Sequence, residues 1–256
     1  MTIHPTAIVS KDAVIGKGVV IGPFCVIGPK VTIGDGTVID SHVVIEGTTI
    51  IGKNNHIFPY VSLGQDPQDV KYNGEPTKLV IGDNNRIREF CTINRGTTQA
   101  WETVVGNNNL FLSYGHIAHD CRVGDNCIFS NNATLGGHVH VGDHVVIGGL
   151  TPVHQFVKIG SHVMVGGASA VNQDIAPFLI AEGNKAKTHG INVVGLKRRG
   201  FTEEEVEIIK DAYRIVFRSK LMLNDAITSL EEKYGSDKNI KYFIEFIKNS
   251  ERGICR

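Results

Sequence analysis

From Ile3 to Val171 the aliphatic residues fall on one fixed beat. Stepping six positions at a time from Ile3 gives Val9, Ile15, Ile21, Ile27, Ile33, Ile39, Ile45, Ile51, Ile57 and Leu63. The same phase resumes at Ile81, passes Ile87, Ile93, Val105, Phe111 and Ile117, and runs on to Val165 and Val171. Only Asp69, Glu75 and Gln99 fall off it. A six-residue repeat sustained this far predicts an all-β, parallel β-helix: short strands wound into triangular coils that bury a continuous core between neighbours.

A second position repeats two residues ahead of the aliphatic. It holds Ala7, Ala13, Val19, Cys25, Val31, Val43, Cys91, Cys121, Cys127, Ala133 and Val145, and so reads as a small inward slot. Gly follows the aliphatic in many hexads, with Asp, Asn or Lys commonly next (IGDG from Ile33, IGDNN from Ile81), which are turn residues. Each hexad is then a strand and a corner, and three hexads make a coil. Residues eighteen apart therefore sit above one another at about the strand spacing of 4.7–4.9 Å.

Two stretches leave the beat and return to it in phase. The first, about residues 65–80, is polar and carries two prolines; the second, about 94–104, follows Ile93. Loops that leave a regular scaffold without disturbing it are where binding residues concentrate. Beyond Val171 the pattern fades, and Asn172 to Gly200 reads as a connector. Thr202 and Glu205 then form a Thr-x-x-Glu capping box, and Val206, Ile209, Ala212, Tyr213, Val216 and Phe217 recur at helical spacing. Further helices fit Asn224 to Tyr234 and Ile240 to about Lys248. The expected division is a β-helix over 1–200 and a small all-α domain over 201–256.

Composition narrows the function. Lys plus Arg and Asp plus Glu both number 26, so no net charge favours nucleic acid or a membrane surface. The first residues lack the apolar core of a signal peptide, and no apolar run approaches the ~20 residues of a membrane span, so a cytoplasmic protein is expected. Four of the five cysteines occupy the small inward slot and read as core filler, with Cys255 a terminal straggler. Exposed strand edges and flat faces make an oligomer the natural expectation, most simply a trimer of triangular prisms.

Histidine is dense at the outward positions of the later coils: His116, His119, His138, His140, His144, His154 and His162. The stacking rule puts His119 in line with Gly137 and Gln155, Asp120 in line with His138, and His116 in line with Thr134. A His beside a carboxylate, facing a glycine-rich backbone that can present a free N–H, suits acyl transfer, with His as general base and the N–H stabilising the oxyanion. The rival use is zinc, since His144 and His162 also stack, but no third His closes a tetrahedron with them. Lys197, Arg198 and Arg199, taken with Lys210, Arg214, Arg218 and Lys220, hint at an acidic partner or a phosphorylated ligand.

Several stretches together carry a specific resemblance: HIAHDC from His116, NNATLGGH from Asn131, PVHQF from Pro152, HVMVGG from His162, GLKRRGF from Gly195, and the loop from Gln68 to Thr77. They resemble the UDP-N-acetylglucosamine O-acyltransferases, which perform the first step of lipid A synthesis in Gram-negative bacteria. The resemblance implies a homotrimer of left-handed parallel β-helices with active sites between subunits. It implies transfer of an (R)-3-hydroxyacyl chain from acyl carrier protein to the 3-hydroxyl of the sugar. The donor is carried on phosphopantetheine, with no resident cofactor and no metal. It assigns His119 as catalytic base, Asp120 as its orienting partner and Gly137 as the oxyanion N–H. It assigns His116, His138, His154 and Gln155 to the substrate site, Asp69 and Lys71 to the sugar, and Asn192, Arg198 and Arg199 to the nucleotide. Gly167 falls where side-chain bulk would limit acyl length.

Two departures stand out. Asn94 occupies a position where the family commonly has His, and Val194 one where it commonly has Glu. A UDP sugar with a 3-amino group, giving an amide, is therefore an alternative acceptor. Another hexapeptide acyltransferase is a further alternative, chiefly the N-acyltransferase acting later in the pathway. That enzyme is expected to carry an extra amino-terminal domain, whereas here the repeat starts at Ile3. From other classes, a zinc protein resembling carbonic anhydrase and a non-catalytic binding solenoid remain to be separated by metal analysis and an acyl-transfer assay.

Overall fold

A computed structural model describes all residues 1–256. Strands of mostly two residues wind through three parallel sheets, taken here as faces A, B and C in the order the chain visits them. Face A has eleven strands and faces B and C eight each. The aliphatic beat lines the interior from Ile21 to Val171 as one continuous core. Ile3, in the first coil, is 36% exposed because nothing stacks beneath it.

The two breaks in the pattern are insertions at one corner. Hydrogen-bonded neighbours in successive coils are ordinarily 18 positions apart, as for Cys127 and Asn109. Across the first break the separation is 30 and across the second 24, so whole hexads have been added. The first insertion leaves after Ser62–Gln65 on face B and rejoins at Lys78–Ile81 on face C. The second leaves after Thr92–Asn94 on face B and rejoins at Glu102–Val105 on face C. Both therefore emerge from the B–C corner.

The inward slot is more polar than expected at the C–A corner. There Thr37, Asn55, Asn85 and Asn109 are buried and bonded in series. Asn55 Oδ1 accepts from the Asn85 N–H at 2.9 Å, Asn85 Oδ1 from the Asn109 N–H at 2.9 Å, and Asn109 Oδ1 from the Cys127 N–H at 2.7 Å. Each amide nitrogen also donates to a glycine carbonyl, so the buried polar groups are satisfied rather than a liability.

After Val171 the chain is more ordered than a connector. Leu179–Glu182 extends face A, and Lys187–Ile191 turns back antiparallel to it. A short helix α1, Val193–Arg198, follows, capped by Asn192. Helices α2 (Glu203–Phe217), α3 (Leu223–Tyr234) and α4 (Lys238–Lys248) form the carboxy-terminal bundle, and α2 opens on the Thr202–Glu205 capping box. The bundle packs on face C, where Tyr242 and Phe246 meet Arg122, His140 and Lys158 around a cavity of about 370 Å³. Cys255 is no straggler: it is buried, with its thiol donating to the Ala186 carbonyl at 2.8 Å and its N–H to the Asp174 carbonyl at 2.7 Å.

Candidate active site

His119 and Asp120 lie at the B–C corner of one coil, between the strands His116–Ile117 and Arg122–Val123. His119 Nδ1 is 2.8 Å from Asp120 Oδ2. A carboxylate only accepts, so Nδ1 carries the proton and the Nε2 lone pair is left free. The ring packs on the backbone of the next coil: a Cβ at Gly137 would stand 2.6 Å from His119 Cε1 and 2.7 Å from Nε2. Only glycine admits the ring at that distance. The Gly137 N–H donates to no acceptor within the chain.

Asp120 is wholly buried and over-determined. Its Oδ1 accepts from the Thr97 N–H at 2.8 Å, its Oδ2 from the Thr97 hydroxyl at 2.6 Å, and its own N–H donates to Thr103 Oγ1 at 2.9 Å. Burial pushes this carboxyl up, but the bonds from His119 and Thr97 together with the nearby His138 outweigh it, and the group sits below the usual carboxylate range. Asp120 therefore stays ionised and fixes the His119 tautomer.

Burial favours the neutral form of two neighbouring histidines, His138 and His116. His138 Nε2 lies 3.6 Å from Asp120 Oδ2, and its ring meets His119 edge-on at 5.1 Å and stacks on Phe156 at 4.4 Å. Burial lowers its pKa, only partly countered by Asp120. His116 is lowered by burial and by His119, and its Nδ1 is 2.7 Å from the Thr92 hydroxyl. His119, Asp120 and His138 present ligand atoms within 4.8 Å of one another, a spacing that suits a metal. Yet Asp120 already accepts three hydrogen bonds, so the donor set is arranged to hold a histidine rather than to present free lone pairs.

The insertions complete this corner. Asp69 and Lys71 line a small cleft of about 80 Å³ with Tyr72, Glu75, Thr97, Thr98 and Gln99, and Asp69 is close enough to raise the His138 pKa slightly. Arg95 ties the insertions together, donating to the Gly64 carbonyl at 2.9 Å, to the Tyr72 hydroxyl at 2.7 Å and to Asp66. Asn94 is buried, its amide nitrogen donating to the Asp66 carbonyl at 2.7 Å and its Oδ1 unpartnered. His154 and Gln155 lie exposed at the same corner one coil beyond Gly137.

Other expected residues lie elsewhere. Asn192, Arg198 and Arg199 line a groove of about 750 Å³ on face A, floored by Ile128, Val146 and Met164. Asn192 is occupied: Nδ2 donates to the His162 carbonyl at 2.9 Å and Oδ1 accepts from the Gly195 N–H at 3.0 Å. Arg199 is half-buried with Nη1 unpartnered, and burial lowers its pKa. Gly167 sits at the A–B corner, where a Cβ would meet Gly149 O at 3.4 Å, an ordinary contact with room beyond it. His144 and His162 lie ring on ring, with centroids 4.9 Å apart. Thr97 and Thr103 escaped the sequence reading. Thr97 belongs to an insertion that the stacking rule does not reach, and Thr103 occupies an inward slot that reads as filler.

Comparison with known proteins matches this chain at every level. The family model described as UDP N-acetylglucosamine O-acyltransferase, domain 2, covers residues 174–255, and the bacterial transferase hexapeptide model covers 12–47 and 102–137. A Fusobacterium nucleatum protein named acyl-[acyl-carrier-protein]–UDP-N-acetylglucosamine O-acyltransferase is 58% identical over 82% of each chain. A Myxococcus xanthus protein of the same name is 47% identical over 99% of each. Among solved structures, LpxA from Acinetobacter baumannii superposes with a TM-score of 0.97 at 46% identity, covering 100% of both chains. The Arabidopsis UDP-N-acetylglucosamine acyltransferase gives 0.87 at 37% identity over 99% of this chain and 100% of its own. The coil is thus a left-handed parallel β-helix with a small helical carboxy-terminal domain. With identity this high over nearly the whole length, the chain belongs to the UDP-N-acetylglucosamine O-acyltransferase family.

Proposed function

We propose that this protein transfers an (R)-3-hydroxyacyl chain from acyl carrier protein to the 3-hydroxyl of UDP-N-acetylglucosamine, the first step of lipid A biosynthesis. The observation that carries the mechanism is His119, anchored by Asp120 through Nδ1 at 2.8 Å and lying with Nε2 over Gly137. Nε2 takes the proton of the sugar hydroxyl as its oxygen attacks the thioester carbonyl carbon. The oxyanion meets the Gly137 N–H. Collapse breaks the carbon–sulfur bond, and the imidazolium returns its proton to the phosphopantetheine thiolate. His119 ends as it began, so the cycle calls for no resident cofactor. Both substrates are water-soluble, and a cytoplasmic location goes with the reading.

In this reading His116, His138, His154, Gln155, Asp69 and Lys71 surround the sugar, while Asn192, Arg198 and Arg199 serve the nucleotide, Asn192 by capping α1. Gly167 leaves space for a longer chain. These two groups lie on opposite sides of one prism, the first at the B–C corner and the second on face A. One neighbour cannot face both sides of the same prism. A ring of copies can, and the smallest such ring is a trimer. We divide the chain at about residue 200, supported by the capping box that opens α2.

A second acceptor, a UDP sugar with a 3-amino group, rests on Asn94 standing where the family commonly has His. Mass spectrometry of the products from UDP-N-acetylglucosamine and its 3-amino analogue, with a panel of acyl chains on acyl carrier protein, tests both. An ester product is expected. An amide alone would transfer the reading to the amino sugar, and no acyl transfer to either would overturn it.

A further inference from the structure

Corner after corner of the prism turns in one way: a residue takes positive φ, and its N–H donates to a backbone carbonyl in the coil before. Asn108 donates to Asp83, Asn126 to Asn107 and Asn132 to Ser113, at 2.9–3.1 Å. At the B–C corner His138 donates to His119 and Phe156 to Gly137, each at 3.0 Å. Asp120, at φ 61°, breaks the series. The coil before it has no corner there, because the chain leaves after Asn94 and rejoins at Glu102. The Asp120 N–H donates instead to the Thr103 hydroxyl, at 2.9 Å. A hydroxyl also serves Phe24, through Thr6, but on the exposed first coils. Thr103 is wholly buried, and so is its bond.

That N–H belongs to the peptide joining His119 to Asp120, and the carbonyl of the same peptide accepts from the His138 N–H at 3.0 Å. One peptide unit, between the base and its anchor, is thus gripped from both sides. The grip has something to resist. Of the two residues only Asp120 has positive φ, the pattern of a type II turn. Turning the peptide over gives a type I turn, in which the third residue takes the negative φ that a residue with a side chain prefers. The N–H and carbonyl then change sides, and the His119 ring is carried out of line.

We propose that Thr103 is a positioning residue for the transfer: its hydroxyl is the rung that keeps the His119–Asp120 peptide from turning over, and so keeps Nε2 over Gly137. The inference rests on His119 as the base, as read above. Two threonines divide the task. Thr97 holds the Asp120 carboxylate, and Thr103 holds the backbone that carries it. Sealed inside the coil, Thr103 acts only through Asp120.

Thr103→Val keeps the shape and removes the acceptor. In the acyl-transfer assay its kcat is expected to fall roughly 10- to 100-fold, with KM for both substrates nearly constant, the mark of a misplaced base. Thr103→Ser keeps the oxygen and should recover most of the rate; Thr103→Cys, with a weak sulfur acceptor, should fall between the two. Thr37→Val is the control, since Thr37 Oγ1 likewise accepts a buried N–H, that of Asn55 at 3.2 Å, but at the C–A corner. It should lower the melting temperature as Thr103→Val does and leave kcat unchanged. A near-normal rate in Thr103→Val, equal losses in the Val and Ser variants, or a matching loss of kcat in Thr37→Val overturns the proposal. If Thr103→Val does not fold, the Ser and Cys variants decide, and equal rates in those two overturn it. A crystal structure of Thr103→Val gives a measure independent of activity: the 119–120 peptide is expected turned over or divided between two orientations, and a single unchanged orientation overturns the rung. Should the wild-type protein transfer no acyl chain, the proposed reaction falls, and the orientation of that peptide still decides for or against the rung.

Discussion

Two corners of the prism carry paired histidines from successive coils, and only one pair is bonded to a carboxylate. At the B–C corner His119 and His138 meet edge to face, with Asp120 reaching both. At the C–A corner His144 and His162 lie ring on ring, tilted by 19°, and the stack continues to Phe178. Burial pushes His162 down to about 4, so near neutral pH it is an uncharged aromatic plate. The two pairs differ in what their nitrogens touch: a carboxylate at one corner, none at the other. The insertions made that difference: only the B–C corner is broken open, and through that break Thr97 arrives to fix Asp120.

The sharpest way to break the comparison is His119→Ala. Turnover should fall on the order of 10²–10⁴-fold with the oligomer and its melting temperature unchanged. A near-normal rate would remove the base from this corner altogether. Gly137→Ala comes next, because its Cβ would stand 2.6 Å from the His119 ring and force it aside. A misplacement of this kind costs roughly 10²-fold in kcat, read with KM nearly constant. If kcat holds, the ring does not work from this position.

Thr97→Val sharpens the role of the insertion. Hydrogen bonds to a charged group contribute about 1.5–3 kcal/mol, part of which orients His119. We expect kcat to drop roughly tenfold, and the Asp120 carboxyl, having lost a donor that lowers its pKa, to titrate at higher pH when followed by NMR. Thr97→Ser should restore both; failure of that rescue would make Thr97 a packing residue. The smallest effect belongs to the other corner. His162 has a folded pKa of about 4, below its unfolded value of about 6.5. The unfolded chain therefore takes up a proton first, and stability present above pH 6.5 is lost as pH falls toward 4. His162→Phe keeps the stack and should flatten that loss in melts across pH 4–7, while changing turnover at most a few-fold. An unaltered slope would show that another group titrates there.

Much of this was legible in the sequence because a fixed beat is a ruler. The hexads placed Gly137 and His138 over His119 and Asp120 through spacing alone, and the capping box placed the start of α2. The ruler stopped where the chain left the coil. Thr97 reaches Asp120 from an insertion, and no periodicity relates the two. The antiparallel strand and α1 between Lys187 and Arg198 carry no six-residue signal either. Asn55, Asn85 and Asn109 sat in a slot read as small and apolar. A hydrogen-bonded ladder satisfies them there, and a composition rule does not see hydrogen bonds. Arg198 and Arg199 were matched to the same ligand as His119, but the coil sets them on another side of the prism, a separation visible only once the faces are assigned.

Both insertions depart and return at one corner, and the coils on either side keep their pairing: Ser62 with Thr92, Thr92 with His116. The scaffold is therefore indifferent to what the insertions contain. Each doubling of such a loop adds only about 0.6 kcal/mol of closure entropy. The corner works as a socket: the length of either plug can change while the strands that flank His119 stay where they are.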